Sequence, residues 1–369
     1  MEIKKINLVN FRNYDKLSID LNSKMNIFIG NNAQGKTNIL ESIVVLALSK
    51  SHRLGHDIDI IKFGKSKAKI VGKVKDNKLI KELSVEIGNG EKNLYVNKTS
   101  IKKVALYISN LNIISFTPDS LEIIKSSPSI RRNVLNIQLS QLSKLYLNTL
   151  NEYNKLLKTR NEYLKLLITN HIADRKYLDI ITEKLIEKAV IIYSKRYEYI
   201  SLVNENIDII HKKITDVSGI EIKYIPNVEF SDFSQDEIKE KLKDVFKKNY
   251  FKELNYGMTL FGPHRDDFTF LINGEDLKLY GSQGQQRMAV ICYKLSEIEI
   301  FEKNCNTKPV LLFDDVFSEL DIKKRNRLLE FISNDIQSIV TTTDLKNIRK
   351  KYLEDAYVFK VEKGNVTRK

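Results

Sequence analysis

The sequence predicts an α/β fold: a mixed sheet built around a phosphate-binding loop and split by an inserted helical lobe containing a long antiparallel helix hairpin. Three observations predict it. Short apolar runs with strand-like alternation fill both ends of the chain. Residues 30–37 form a glycine-containing loop between an apolar strand and a helical pattern. Beyond Pro128, as far as about Ile214, there is neither proline nor glycine, and apolar residues recur at helical spacing. The corresponding division is residues 1–120 for the first part of the sheet domain, 121–256 for the lobe and 257–369 for the second part.

Taken in order, Ile3 to Val9 and Lys24 to Ile29 read as strands, and Asn38 to Lys50 as a helix with Ile39, Ile43, Leu46 and Ala47 on one side. Asn89-Gly90 and Asn273-Gly274 each sit between alternating runs, which is a hairpin signal. The second of these joins Phe268–Ile272 to Leu277–Leu279. In the lobe, Leu139, Leu142, Tyr146, Leu150, Tyr153, Leu157, Leu164 and Leu167 mark one long amphipathic helix. A polar break at Asn170 to Arg175 precedes a second run from Tyr177 to Ile207. At 1.5 Å per residue each arm would reach ~50 Å at most.

Composition narrows the class. Lys+Arg number 61 against 47 Asp+Glu, a net charge of +14 spread along the chain, which favours an anionic partner such as nucleic acid or a membrane surface. No apolar run approaches the ~20 residues that cross a bilayer. The opening residues alternate like a strand and lack a signal-peptide apolar region. Cys292 and Cys305 have no metal-ligand spacing and read as two reduced thiols, so a cytoplasmic, membrane-free protein is expected.

Gly30-Asn31-Asn32-Ala33-Gln34-Gly35-Lys36-Thr37 matches G-x-x-x-x-G-K-[ST] in the strand-to-helix setting that gives the motif meaning. Glycines let backbone N–H groups turn inward on phosphates, and the helix N-terminus adds positive charge. Lys36 is expected at the β- and γ-phosphates and Thr37 at Mg²⁺; Asn38 completes the expected ATP-binding set. Downstream, the apolar run Pro309–Phe313 ends in Asp314-Asp315. Buried paired acids need partners, and a metal and a water supply them. Asp314 is the expected Mg²⁺ ligand and Asp315 the residue that orients or deprotonates the attacking water. Most such ATPases carry Glu at that second position, and the shorter Asp implies slow turnover.

Between these lies Tyr280-Gly281-Ser282-Gln283-Gly284-Gln285-Gln286-Arg287, leading into a helix. It reads either as donors for an anion or as a polar loop capped by Ser282. Gly262-Pro263-His264-Arg265-Asp266-Asp267 reads either as a tight turn held by an Arg–Asp pair or as a phosphate- or DNA-facing element. Arg131, Arg132, Arg160 and Arg175 are candidates for DNA-phosphate contacts, with ordinary helix faces or structural ion pairs as the alternative.

The loop, Gly281–Arg287, the acidic strand and Ser318-Glu319-Leu320-Asp321, in this order, resemble the Walker A, signature, Walker B and D-loop motifs of an ABC-type ATPase head. With Phe11-Arg12-Asn13-Tyr14, Ser51-His52-Arg53, Phe116-Thr117-Pro118-Asp119, Arg131-Arg132 and Gly262–Asp267, the chain resembles the RecF family of SMC-like heads, over nearly its whole length. The resemblance implies a homodimer that closes around two ATP, with Ser282, Gly284 and Gln285 of one copy meeting the γ-phosphate bound by the other. It implies Asp321 at the dimer seam and Arg12 near nucleotide phosphate, with Lys36, Asp315 and Ser282 as the catalytic set. It further implies double-stranded DNA binding, weak DNA-dependent ATP hydrolysis, and a role with RecR and RecO in loading RecA at single-strand gaps during DNA repair, replication and the SOS response.

The chain departs from the family pattern at Asn136, where Asp is usual, which would weaken any pairing with an arginine. No histidine stands at the switch position; the strand ending Thr341-Thr342-Thr343-Asp344 offers a threonine to the γ-phosphate instead, and no Q-loop glutamine is evident. Competing readings are a transporter's nucleotide-binding subunit, a DNA-end nuclease with an ABC head, and a clamp that uses ATP as glue without turning it over.

Overall fold

A computed structural model of the chain describes every residue except 52, 54, 55, 78, 89, 170–173, 333, 334, 346 and 347. His52, Asn89 and most of the expected polar break therefore lie outside the described residues. The chain forms two compact units, one of Met1–Ser120, Ile209–Val217 and Val290–Lys369, the other of Leu121–Asp208 and Ser218–Ala289. The second takes in most of the helical segment and continues through Gly262–Asp267 to Ala289.

The first unit has two sheets. One is antiparallel, in the order Tyr14–Asp20, Glu2–Phe11, Lys67–Asp76, Leu79–Gly88, Glu91–Val96, Thr99–Ser100. A bulge between Ile3 and Lys5 brings both Ile3 and Ile6 to the inner face despite their three-residue spacing. The other runs Asn365–Arg368, Tyr357–Glu362, Met25–Ile29, Ser338–Thr342, Val310–Asp314, Ile113–Phe116, parallel except for its first strand. Val310–Asp314 and Ser338–Thr342 are buried at every residue, as parallel strands covered on both faces should be.

The helix Lys36–Leu48 packs against strands of both sheets. Every residue from Ile39 to Ala47 is buried, so the single apolar side expected from sequence is only part of a helix covered all round. Each such Ile, Val or Leu contributes ~1.5–3 kcal/mol by leaving water, which fixes the loop at the helix's N-terminus on a rigid support.

In the second unit the expected long first arm is two helices, Pro128–Leu142 and Lys144–Thr169. Ser143 turns to extended backbone and its hydroxyl accepts from Tyr146 N at 3.2 Å, a cap that restarts the helix although the apolar spacing runs straight through. The second arm, Arg175–Thr215, has 41 residues and so spans ~60 Å, longer than expected. The arms are antiparallel: Lys188 pairs with Glu152, Thr182 with Arg160, and Tyr177 stacks edge-on against Tyr163. A three-stranded sheet joins Glu275–Asp276, Asp267–Ile272 and Ile220–Ile225. Asn273 and Gly274 both have positive φ (51° and 83°), the geometry of a tight hairpin turn. Leu277–Leu279, expected as the returning strand, lies in the helical turn Leu277–Tyr280 instead, because the Asp276 carboxylate caps it through Lys278 N at 2.6 Å.

Candidate active site

The phosphate loop is shaped by its own glycines and braced from outside. Gly35 has φ 110°, and a Cβ there would lie 2.6 Å from Asn13 Nδ2 and 2.7 Å from the Tyr14 hydroxyl. Tyr14 donates to the Gly35 carbonyl at 3.1 Å, while Lys363 N and Gly364 N reach Gln34 Oε1 and Gln34 O at 2.6 and 3.3 Å. A side chain at Gly30 would collide with the Val361 carbonyl. The buried Lys36 ammonium donates to Gly30 O at 2.5 Å and Asn31 O at 2.8 Å. Burial lowers its pKa, against the pull of Asp315 and Asp314.

The acidic strand meets the loop. Asp314 Oδ1 accepts from the Thr37 hydroxyl at 2.9 Å and from the Thr341 hydroxyl at 2.7 Å. Asp315 has φ 52°, a conformation costly for a non-glycine residue, pinned by its N–H to Thr341 and by the Ser318 hydroxyl on its carbonyl. Its Oδ1 is buried and meets no hydrogen-bond donor among the described residues. Burial raises the Asp315 pKa; a Ser318 hydrogen bond and then Lys36 oppose this, and Asp314 adds to it. A hydroxyl and two carboxylates, one short of partners, form an all-oxygen set that fits Mg²⁺, which takes one or two carboxylates together with substrate phosphates.

Arg12 is held beside the loop helix. With φ 51°, it forks onto Glu41 through Nε and Nη2 at 2.9 and 2.6 Å and donates Nη1 to Asp59 O at 2.6 Å. Ser51 donates to Glu41 at 2.7 Å and Arg53 lies 3.6 Å away. Arg53 also reaches Asn38 Oδ1 at 3.2 Å, and Asn38 donates to Asn13 Oδ1 at 2.8 Å. Burial opposes ionisation of Glu41, but the Arg12 fork and Ser51 outweigh it and hold its pKa low. Sequence reasoning missed Glu41. Its signal was an acid inside an otherwise apolar helix, which only an internal cation makes tolerable.

The threonines brace the site: Thr341 holds Asp314 and Asp315, and Thr342 O accepts from Gly30 N at 3.3 Å. Asp321 caps the helix Ile322–Ile332 through Lys324 N at 2.9 Å.

In the second unit, Ser282, Gln283, Gly284 and Gln285 are exposed at the start of the helix Gln283–Cys305. Ser282 Oγ accepts from Gln285 N at 3.3 Å and Gln285 Oε1 from Ser282 N at 2.8 Å, a reciprocal capping box. The cap expected of Ser282 is present, and it shapes an exposed helix N-terminus.

Two of the four arginines nominated for DNA are committed elsewhere. Arg160, 2% exposed, pairs with Glu253 at 2.6 Å and donates to Thr259 and Thr182. Arg131 forks onto Asp267 at 2.5 and 2.8 Å and donates to the Ser126 carbonyl at 2.9 Å. Burial therefore removes both from any surface contact. Arg175 lies over the Tyr250 ring at 5.9 Å, and Arg132 stays half-buried. The Gly262–Asp267 turn is a structural clasp in which Asp266 takes Arg196 at 2.7 Å, the Tyr224 hydroxyl at 2.5 Å and Asn227 N at 2.9 Å. Asn136 does meet an arginine, accepting from Arg196 Nη2 at 3.0 Å and from the Tyr146 hydroxyl at 2.7 Å.

A family model described as the RecF/RecN/SMC N-terminal domain matches residues 2–367. The chain is similar to the DNA replication and repair protein RecF of Shouchella clausii, 39% identical over 370 residues and covering 100% of both chains. It is 38% identical over 371 residues to the protein of that name from Oceanobacillus iheyensis, covering 99% of this chain and 100% of the other. Among solved structures it superposes on the recombination mediator protein RecF-ATP of the RecFOR pathway with a TM-score of 0.92 at 34% identity, over 100% of this chain and 97% of that one. An Smc head bound to the winged-helix domain of ScpA matches at TM-score 0.55 and 14% identity, over 100% and 97%, a likeness of fold alone. The α/β class with long helices, expected from sequence, is the class of these structures.

Proposed function

This chain belongs to the RecF family, and from that premise we propose that it is an ATP-binding, DNA-binding ATPase that acts in DNA replication and repair. The observation that carries the reading is the meeting of the loop with the paired acids: Thr37 donates to Asp314, the Lys36 ammonium feels both Asp315 and Asp314, and the buried Asp315 Oδ1 lacks a donor among the described residues. Gly30, Asn31, Asn32, Ala33, Gln34, Gly35 and Asn38 shape the cradle in which Lys36 and the loop amides bind and orient the triphosphate. Thr37 and Asp314 would hold Mg²⁺, which would supply neutralisation of phosphate charge. Asp315 orients a water and accepts its proton as the oxygen attacks the γ-phosphorus and the bond to the β–γ bridging oxygen breaks, releasing ADP and phosphate. Hydrolysis is slow, as the short Asp315 side chain implies, and DNA-dependent, as the family resemblance implies.

Two copies close around two ATP, and the exposed Ser282, Gly284 and Gln285 of one cover the γ-phosphate held by the other. Closure makes the double-stranded DNA clamp. By likeness to a mediator of the RecFOR pathway, the partners are RecR and RecO, and through them RecA at single-strand gaps. Among the described residues no helix is long and apolar enough to cross a membrane; we place the work in the cytoplasm.

Duplex-DNA anisotropy without nucleotide, with ADP and with ATP, for the wild type and Ser282→Arg, tests this reading. Tight binding only with ATP, abolished in the variant, is expected. Equal binding in every state would sink the clamp.

A further inference from the structure

The second unit holds a polar pocket of about 260 Å³ that the nucleotide chemistry does not use. Its floor is buried, formed by Arg196, Tyr153 and Pro263, and its rim is exposed, formed by Ser129, Asn133 and Asn154. Arg132 lines the wall, half-buried.

The charges in this pocket are unevenly matched. The Asp266 carboxylate is taken by Arg196, Tyr224 and Asn227, while Arg132 reaches only the Asp266 backbone carbonyl, at 2.7 Å. Among the described residues Arg132 Nε and Nη2 make no hydrogen bond. A guanidinium has five donors, so a half-buried one with a single protein acceptor keeps donors that an entering acceptor can use. Burial and then the nearby Arg196 charge lower the Arg132 pKa, against the pull of Asp266 and Asp267.

Apart from Asp266 and Asp267, whose carboxylates are engaged by Arg196 and Arg131, the neighbouring groups bring no counter-charge. His264 Nε2 lies 3.2 Å from the Thr259 carbonyl and so carries its proton there, leaving Nδ1 to accept from the Tyr153 hydroxyl at 2.7 Å. Burial pushes the His264 pKa down to about 4, with Arg265, Arg132 and Arg196 adding to the effect, so the ring stays neutral. The helix Pro128–Leu142 begins at the rim, and its N-terminal dipole adds positive potential.

We propose that this pocket is a phosphate subsite, in which Arg132, helped by the rim amides of Asn133 and Asn154, takes one phosphate group of a nucleic-acid backbone or free phosphate. The fork geometry of a guanidinium suits a phosphate's paired oxygens, and the open rim lets it enter from solvent.

The test uses the full chain carrying Lys36→Ala, which disables the phosphate loop. The His264 ring resonance, assigned from the His264→Asn spectrum, is followed during titration with inorganic phosphate at constant ionic strength. A saturable shift is expected, absent with chloride, with affinity about tenfold weaker in Arg132→Gln because a charge-assisted partner is lost. A short duplex that moves the same resonance and competes with phosphate assigns the subsite to a nucleic-acid backbone. A duplex without effect, where inorganic phosphate acts, assigns it to free phosphate. Equal responses to chloride and phosphate, or none to phosphate and duplex alike, overturn the proposal, and so does an Arg132→Gln titration that matches its parent.

Discussion

Two adjacent-aspartate pairs occur in this chain, Asp266-Asp267 and Asp314-Asp315, and they meet opposite fates. At the first pair each carboxylate is answered by a guanidinium: Arg196 on Asp266 and Arg131 forked onto Asp267. At the second, Asp314 receives two neutral hydroxyls and Asp315 Oδ1 receives no donor among the described residues, while the Lys36 ammonium is spent on loop carbonyls. Nothing in the dipeptides distinguishes them. What differs is whether a fixed internal cation satisfies the acid. A satisfied pair is a clasp that holds structure, whereas an unsatisfied one keeps acceptor capacity for a metal, a water or a phosphate.

The largest effect that would break this contrast is at Asp315. Asp315→Asn should cut Mg²⁺-dependent phosphate release ~10²–10⁴-fold, the usual worth of a positioned acid or base, while nucleotide binding persists. Its urea midpoint should not fall, because a partly buried carboxylate whose Oδ1 has no donor among the described residues is being neutralised; a large loss of stability would make Asp315 a second clasp. Asp266→Ala should do the reverse. Leaving Arg196 buried and unpaired should cost ~3–5 kcal/mol in urea unfolding, and an unchanged midpoint would dismiss the clasp.

Glu41 lies between these extremes, being satisfied by Arg12 yet adjacent to the loop. Glu41→Gln should lose ~1.5–3 kcal/mol at neutral pH, the worth of hydrogen bonds to a charged group. The folded-state pKa is depressed, so this stability is fully present above the ordinary Glu value of 4.5 and disappears as pH falls through the folded value. Unfolding curves of wild type and Glu41→Gln should therefore converge below that value, and curves that stay parallel in acid would dismiss the pairing. Smallest is Ser234→Ala, an exposed cap on Gln235–Lys248 whose hydroxyl accepts from Glu237 N at 3.3 Å. A loss of ~1 kcal/mol would set the scale of an ordinary local contact in this molecule.

Much of the candidate site was legible because its chemistry is local in sequence. Lys36 and Thr37 follow the glycine turn directly, and Asp314-Asp315 closes a strand whose burial is written in five apolar residues. Glu41, Thr341 and the bracing role of Asn13 and Tyr14 were less legible, since each acts on a partner distant in the chain. The break at Ser143 escaped for a different reason: apolar spacing reports which face is buried, and a capped restart can preserve that face.

By itself, the sequence determined the α/β class, the phosphate loop, the paired acids and the helix-rich middle, because spacing and residue type carry those features within one element. Only the tertiary structure decided that Arg131 and Arg160 are internal ion partners, that Asp266 is satisfied while Asp315 Oδ1 is not, and that Arg132 keeps donors to spare. The physical reason is that the cost of a buried charge is set by the groups folding places around it, and those come from far along the chain.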